Sequence, residues 1–316
     1  MPGLTPGIRQ KNCANPHLIM LHAQVGHPFC AQIGRLAVRS LYAELALYPK
    51  PGLVSLVDNG SHDDMTAATF MRSLFALRHY FIQITEAGMA AAPFSTLQRL
   101  GVAAEARMLA ATGGINTHRG AIFCLGMLCA AIGYCRGHRI ILSAPSIRAT
   151  LLLQWGDALA AHTHAVAVRT YAPAAPHSHG LQAAAQYAAS GAREEAALGL
   201  PSVFEVALPA MQRALDAGRS LECAQIDAFF SLMAHVSDTN VYHRGGAAGA
   251  ATVKHHAQHF LVRGGSANPR WEIAALACHQ ALVRQRLSPG GAADLLAATC
   301  LIHAVSTNCQ ANDVLP

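Results

Sequence analysis

At 316 residues and 33.3 kDa the chain is long enough to bury a substantial core, and an apolar share of 52% with only 6% aromatic residues suits closely packed, alanine-rich helices better than a β-sandwich. A formal charge of +6, carried by scattered basic residues in a chain only 13% charged, excludes a nucleic-acid groove and favours anionic small molecules. Nine cysteines without any C-x-x-C spacing exclude a zinc ribbon and a disulfide framework, and read as reduced thiols of a cytoplasmic protein.

The opening "MPGLTPGIRQKNCANPH" is polar and rich in Pro and Gly, so residues 1–30 read as a loose leader before one compact, all-α domain over 31–316. A helix over about 32–47 is expected to stop at the double proline of "YPKPG". Phe70, Leu74, Leu77, Phe81 and Ile84 fall on one face of a second helix, with Asp63, Asp64 and Thr66 as start signals. Further helices are predicted over about 120–134, 146–169, 181–198, 222–236, 246–262, 270–286 and 291–305. "HRIILS", 138–143, has the look of a strand or of a helix end. The run "AIFCLGMLCAAIGY" is 14 residues long, short of the roughly 20 a membrane span needs, and reads as a core helix. No internal repeat is visible.

Four segments hold candidate chemistry. In "ELALYPKPGLVSLVDNGSHDDM", Pro49 and Pro51 fix Lys50 in register to grip phosphate. Asp58, Asn59, His62, Asp63 and Asp64 then make a cluster in which one aspartate serves as a helix cap and the rest exceed what a cap requires. In "ATGGINTHRGAIF" a glycine-rich turn carries Asn116, Thr117, His118 and Arg119 to the start of an apolar helix, one to two turns after Glu105. A helix start presents unpaired N–H groups to an anion, and Arg119 suits a phosphate. His177 and His179 of "HSHG" read as solvated loop histidines, and Arg193, Glu194 and Glu195 as a salt-bridged helix surface. In "SDTNVYHRGG", Asp238 and Asn240 offer oxygens suited to magnesium, and His243 and Arg244 echo "THRG", as if both were polar loops entering helices.

Five stretches, "YPKPGLVSLVDNGSHDDM", "EARMLAATGGINTHRGAIFCLG", "SGAREEAALGLP", "DTNVYHRGG" and "SPGGAADLLA", together resemble the triphosphoribosyl-dephospho-CoA synthases, in order and spread over about 35–305. "ELALYPKPGLVS" and "SLFALRHYF" look closer to the malonate decarboxylase branch than to the citrate lyase branch. The resemblance implies an all-α cytoplasmic enzyme that joins the triphosphoribosyl group of ATP to the 2'-hydroxyl of 3'-dephospho-CoA and frees adenine. It implies Mg2+ with the ATP, and a separate transferase that passes the product to an acyl carrier protein; it leaves a homo-oligomer open, and gives no role to a membrane or nucleic acid.

Such a reaction builds positive charge on a ribose, frees a base that needs a proton and holds a triphosphate, so carboxylates, histidines and cations are wanted together. Catalytic candidates are accordingly Asp58, His62, Asp63, Asp64, Glu105 and His118. Lys50, Asn116, Thr117, Arg119, Arg193, His243 and Arg244 are candidates for binding substrate, and Asp63, Asp64, Glu105, Asp238 and Asn240 for binding magnesium. Two departures stand out: Arg119 replaces the lysine of some relatives, and Leu200 replaces a frequent phenylalanine. A His-Asp metal phosphohydrolase competes through "SHDDM" but lacks an earlier histidine outside the leader. A non-catalytic nucleotide-binding helical protein would not require so many acids beside glycine turns.

Overall fold

The computed structural model describes residues 16–170 and 191–312, so His177 and His179 lie outside the described residues. Within them the chain forms eleven α-helices and no strand. In chain order these are α1 (Pro16–Ala46), α2 (Ala67–Met89), α3 (Phe94–Thr112), α4 (Arg119–Gly137), α5 (Ala144–Thr170) and α6 (Ala192–Ala197). A π-helical turn, Ser202–Ala207, leads into α7 (Leu208–Asp216), followed by α8 (Leu221–His235), α9 (Thr239–Val262), α10 (Trp271–Arg284) and α11 (Gly290–Asn312).

Several boundaries depart from the sequence reading. α1 begins at Pro16 rather than near 32, so helix runs through half of the stretch read as a leader. The expected cap of α2 is neither Asp63 nor Asp64: the Thr66 hydroxyl accepts from the Thr69 amide at 3.4 Å, and Thr69 Oγ1 reciprocates to the Thr66 amide at 3.3 Å. "HRIILS" is neither strand nor helix, and Arg139 within it sits at φ 56°. α7 falls in a stretch for which the sequence reading has no helix, one that contains Pro201 and Pro209. Both stand at helix starts, where a missing N–H costs nothing. "DTNVYHRGG" is no loop: its first two turns are helical from Thr239, and the helix bends only at Gly246, at φ 59° and ψ −156°.

α4 is the centre of the bundle. Apolar nearly all round, it is buried from Ala121 to Cys135 apart from Phe123 and Tyr134, as a helix enclosed on every side must be. Its approach to α2 depends on glycines: a Cβ on Gly88 would lie 2.0 Å from the Ala130 carbonyl oxygen, and one on Gly133 2.1 Å from that of Thr85. The Tyr80 hydroxyl fills the notch left by Gly126 and donates to the Ile122 carbonyl at 2.9 Å. Among the described residues two helices, α4 and the Gly290–Thr307 part of α11, are long and apolar enough to cross a membrane, but both are mostly buried in the bundle, which accounts for their apolar surfaces. The described cysteines are free thiols, all buried except partly exposed Cys223, and burial pushes the Cys129 thiol up to about 12.

Candidate active site

A cavity of about 710 Å³ opens where the first residues of four helices meet: Arg119 and Gly120 of α4, Ala192 and Arg193 of α6, Thr239 and Asn240 of α9, Gly290 and Gly291 of α11. Helix starts carry a partial positive charge, and although Asn116, Asp238 and Asp294 already accept several of their amides, the convergence of four starts favours an anion held with the help of cationic side chains. Arg119, Arg193 and Arg244 line the same space, as do His62, His118 and His243.

The loop between α1 and α2 is tied to the far end of the chain. His62 Nε2 meets Ser288 Oγ at 2.8 Å, and its Nδ1 receives the Arg244 guanidinium at 3.1 Å, with Asp64 at 3.5 Å. Arg244 Nη1 also donates to the carbonyls of Ser61 and Arg286, each at 3.2 Å. Gly52, at φ 71°, brings the loop so close to the Leu287 carbonyl that a Cβ would lie 2.2 Å from its oxygen. Burial, reinforced by Arg244, holds His62 below the usual imidazole value, so it is neutral near pH 7.

On the opposite wall His118 is buried, its Nδ1 2.6 Å from the Ser73 hydroxyl and its ring edge-on to Phe70. Its Nε2 has no partner, and neither do the buried Thr117 Oγ1 and Arg193 Nε. Buried polar atoms normally find partners, so three orphans beside one cavity point to a ligand or water that supplies the missing bonds. Burial, with Lys50 nearby, pushes the His118 pKa down to about 3. The ring is therefore neutral and acts as a hydrogen-bonding group. Asn116 Oδ1 accepts the Arg119 amide at 3.1 Å and so caps α4, while Arg119 grips Glu105 Oε1 through Nε at 2.6 Å.

The remaining candidates lie elsewhere. Lys50 is buried, pairs with the Glu44 carboxylate and donates to the Glu44 carbonyl at 2.7 Å, so Glu44 and not Lys50 faces the cavity. Asp58 accepts the Gly60 amide at 2.8 Å and lies 3.4 Å from His279. Asp63 is exposed beside Arg286, and Asp64 is exposed beyond His62. Asp238 is consumed by backbone: it accepts the amides of Asn240 at 2.9 Å and Ala292 at 3.1 Å, joining the starts of α9 and α11. Burial raises its pKa against those amides.

The magnesium set Asp63, Asp64, Glu105, Asp238 and Asn240 thus does not assemble: Asp63, Asp64 and Asp238 are outside the cavity lining, and Glu105 is paired with Arg119. Among the described residues no three His, Cys, Asp or Glu side chains are grouped to hold a metal ion. A protein-built magnesium cage does not fit these residues.

Sequence reasoning missed two cavity acids, Glu44 and Asp294, although both lie in the quoted motifs. Asp294 sits on Gly120, where a Cβ would be 2.1 Å from its Oδ2. Burial first, then the charges of Glu44 and Asp238, raise its pKa well above the carboxylate range, against the Ala121 amide. Glu195 also lines the cavity but is spent on Ser202, accepting its hydroxyl at 2.6 Å. Glu194 accepts the Gly191 amide at 2.9 Å, so "REE" belongs to the site wall rather than to a solvated surface.

Comparison with known proteins places this arrangement. Residues 30–313 match the family described as ATP:dephospho-CoA triphosphoribosyl transferase. A protein of Acinetobacter calcoaceticus, named "Probable 2-(5''-triphosphoribosyl)-3'-dephosphocoenzyme-A synthase", is 39% identical over 264 residues, 84% of this chain and 87% of the relative. One of Pectobacterium atrosepticum, named 2-(5''-triphosphoribosyl)-3'-dephosphocoenzyme-A synthase, is 39% identical over 282 residues, 86% of this chain and 88% of the relative. No solved structure matches the chain. Since the matched region takes in every helix that lines the cavity, the chain belongs to the triphosphoribosyl-dephospho-CoA synthase family and is a transferase.

Proposed function

We propose that this protein transfers the triphosphoribosyl group of ATP to the 2'-hydroxyl of 3'-dephospho-CoA in the cytoplasm, releasing adenine. The observation that carries the reading is the meeting of three arginines at four helix starts in a cavity that also holds the carboxyl groups of Glu44 and Asp294. An anion as dense as triphosphate needs the former, and a ribose passing through an oxocarbenium-like state needs the latter.

In this reading Arg119, Arg193 and Arg244 hold phosphates, and His118 Nε2 and Thr117 Oγ1 orient the donor through the bonds they lack. Glu44, with its charge balanced by Lys50, faces the developing positive charge on the sugar. Asp294, kept protonated by its surroundings, supplies the proton to the departing base. These two acids take the place of Asp58, Asp63, Asp64 and Asp238. Magnesium arrives as part of the ATP complex, held chiefly by phosphate oxygens.

Likeness of "ELALYPKPGLVS" and "SLFALRHYF" to the malonate decarboxylase branch supports a product destined, through a separate transferase, for the acyl carrier subunit of that enzyme. Chromatography of the reaction with and without dephospho-CoA tests the proposal. Adenine formed only with the acceptor, its triphosphate intact, supports transfer. Inorganic phosphate without adenine would mean a phosphohydrolase, and ATP binding with no product a non-catalytic binder.

A further inference from the structure

The cavity continues past the charged end as an apolar arm. On α3, Phe94, Leu97, Gln98, Gly101, Val102 and Glu105 all line it. Their spacing, i, i+3, i+4, i+7, i+8 and i+11, is one continuous face of a helix. Leu97 packs into the core and Phe94 against it while Val102 stays exposed, and the face forms a rail from Glu105, which is bound to Arg119, to Phe94, whose ring lies 5.6 Å from that of His162 on α5. Eleven residues at 1.5 Å rise give the rail a length of about 16 Å. Ile84 of α2 and Phe123 and Met127 of α4 form the facing wall.

We infer that this arm of the cavity binds the pantetheine arm of the acceptor, its diphosphate at the Arg119 end and its thiol towards Phe94 and His162. The inference rests on the proposed function. Three properties of the site fit it. Pantetheine has about twelve skeletal bonds, the length of four extended residues, or about 14 Å, which matches the rail. It is uncharged and carries a gem-dimethyl group, and the α3 face beyond Glu105 bears no charged side chain, although the Arg193 charge reaches His162 at its far end. Its two amides need only a few polar partners, which Gln98 and His162 offer. A purine would instead want donors and acceptors around one compact edge, whereas this wall is long and mostly aliphatic or phenyl.

Gly101 is the place to test it. A Cβ there finds Tyr80 Oη at 3.7 Å as its nearest neighbour, an ordinary contact, so larger residues enter the channel without displacing a helix. The probes are dephospho-CoA and the methyl ester of ADP, which keeps nucleotide and both phosphates but has no arm. Calorimetry on the wild-type protein is expected to give dephospho-CoA at least tenfold tighter binding than the methyl ester. Gly101→Leu is expected to reduce that ratio at least tenfold with the melting temperature retained, and Gly101→Ala to reduce it less; the alanine variant carries the comparison should the leucine variant unfold. A ratio unmoved by both substitutions, or equal weakening of ATP and both acceptor probes, overturns the assignment. Wild-type protein that shows the expected ratio but releases no adenine would sink the proposed reaction while leaving the pantetheine site in place.

Discussion

His62 and Arg244, 182 positions apart, meet at 3.1 Å, and through them the α1–α2 loop, the first turns of α9 and the entry to α11 share one corner of the cavity. Arg244 also anchors two carbonyls there, so its removal takes away a cation and loosens the corner. Arg244→Ala is expected to raise the KM for ATP about 10- to 100-fold, the loss of a charge-assisted contact. Arg244→Lys is expected to recover little, because a single compact ammonium cannot reproduce the planar fork whose two Nη atoms reach separate acceptors. Steady-state kinetics at fixed ionic strength checks both.

Asp294 is the strongest candidate for proton donor. Asp294→Asn is expected to lower adenine release about 100-fold or more, with little change in KM. A donor whose folded pKa is raised works below that pKa and fails as pH climbs through it, so the alkaline limb of the wild-type kcat profile should vanish in the variant. The same shift costs the folded protein stability as pH rises above the ordinary carboxylate value of 3.8. At pH 7 Asp294→Asn should therefore melt higher than the parent; a lower melting temperature with an unaltered pH profile would refute the assignment.

His118 gives the opposite sign. Its folded pKa of about 3 lies below the ordinary 6.5, so stability present above pH 6.5 is lost as pH falls towards 3. The loss between pH 6.5 and 4.5 should approach about 2.5 kcal/mol, at 1.36 kcal/mol per pH unit. Denaturant titrations of wild-type protein and His118→Gln at the two pH values measure it, and the variant's curve should be flatter.

Asp63→Asn is expected to leave adenine release within about threefold of the parent, since an exposed side chain beside Arg286 touches nothing in the cavity. A fall of about 100-fold would restore it to the chemistry. Asp238→Asn should act chiefly on folding, lowering the melting temperature because two helix starts lose a shared acceptor.

Gly133→Ala is expected to destabilise the bundle by about 2–3 kcal/mol, because the new methyl group meets the Thr85 carbonyl rather than a side chain that can turn away. Gly113→Ala, which meets nothing within 4 Å, should cost only the strain of its φ of 70°. Thermal melts of the two variants separate close approach from conformational freedom.

Where one face of a helix meets the core, the sequence was readable. The stripe of α2 buries Leu74, Leu77, Phe81 and Ile84 as its spacing predicts, and Phe70 ends at the cavity beside His118. Thr117, His118 and Arg119 line the cavity as their turn suggested. Less readable were contacts that no local period encodes. Lys50 and Glu44 pair across a proline turn, which turns the expected phosphate grip inwards. Asp238 looks like a metal ligand until its amide partners at two helix starts are seen. Glu44 and Asp294 did leave a trace: each is a lone acid in an otherwise apolar stretch, "AELAL" and "AADLLAA", where a charge is costly unless it has a use.

The four converging helix starts carry a consequence for the order of events. On the proposed reaction the polyphosphate tail, which these starts and the arginines would hold, remains bonded to the ribose after transfer, while the purine leaves. The nucleobase thus leaves first and the elongated coenzyme precursor last, so pyrophosphate or tripolyphosphate should compete with donor far better than free adenine does.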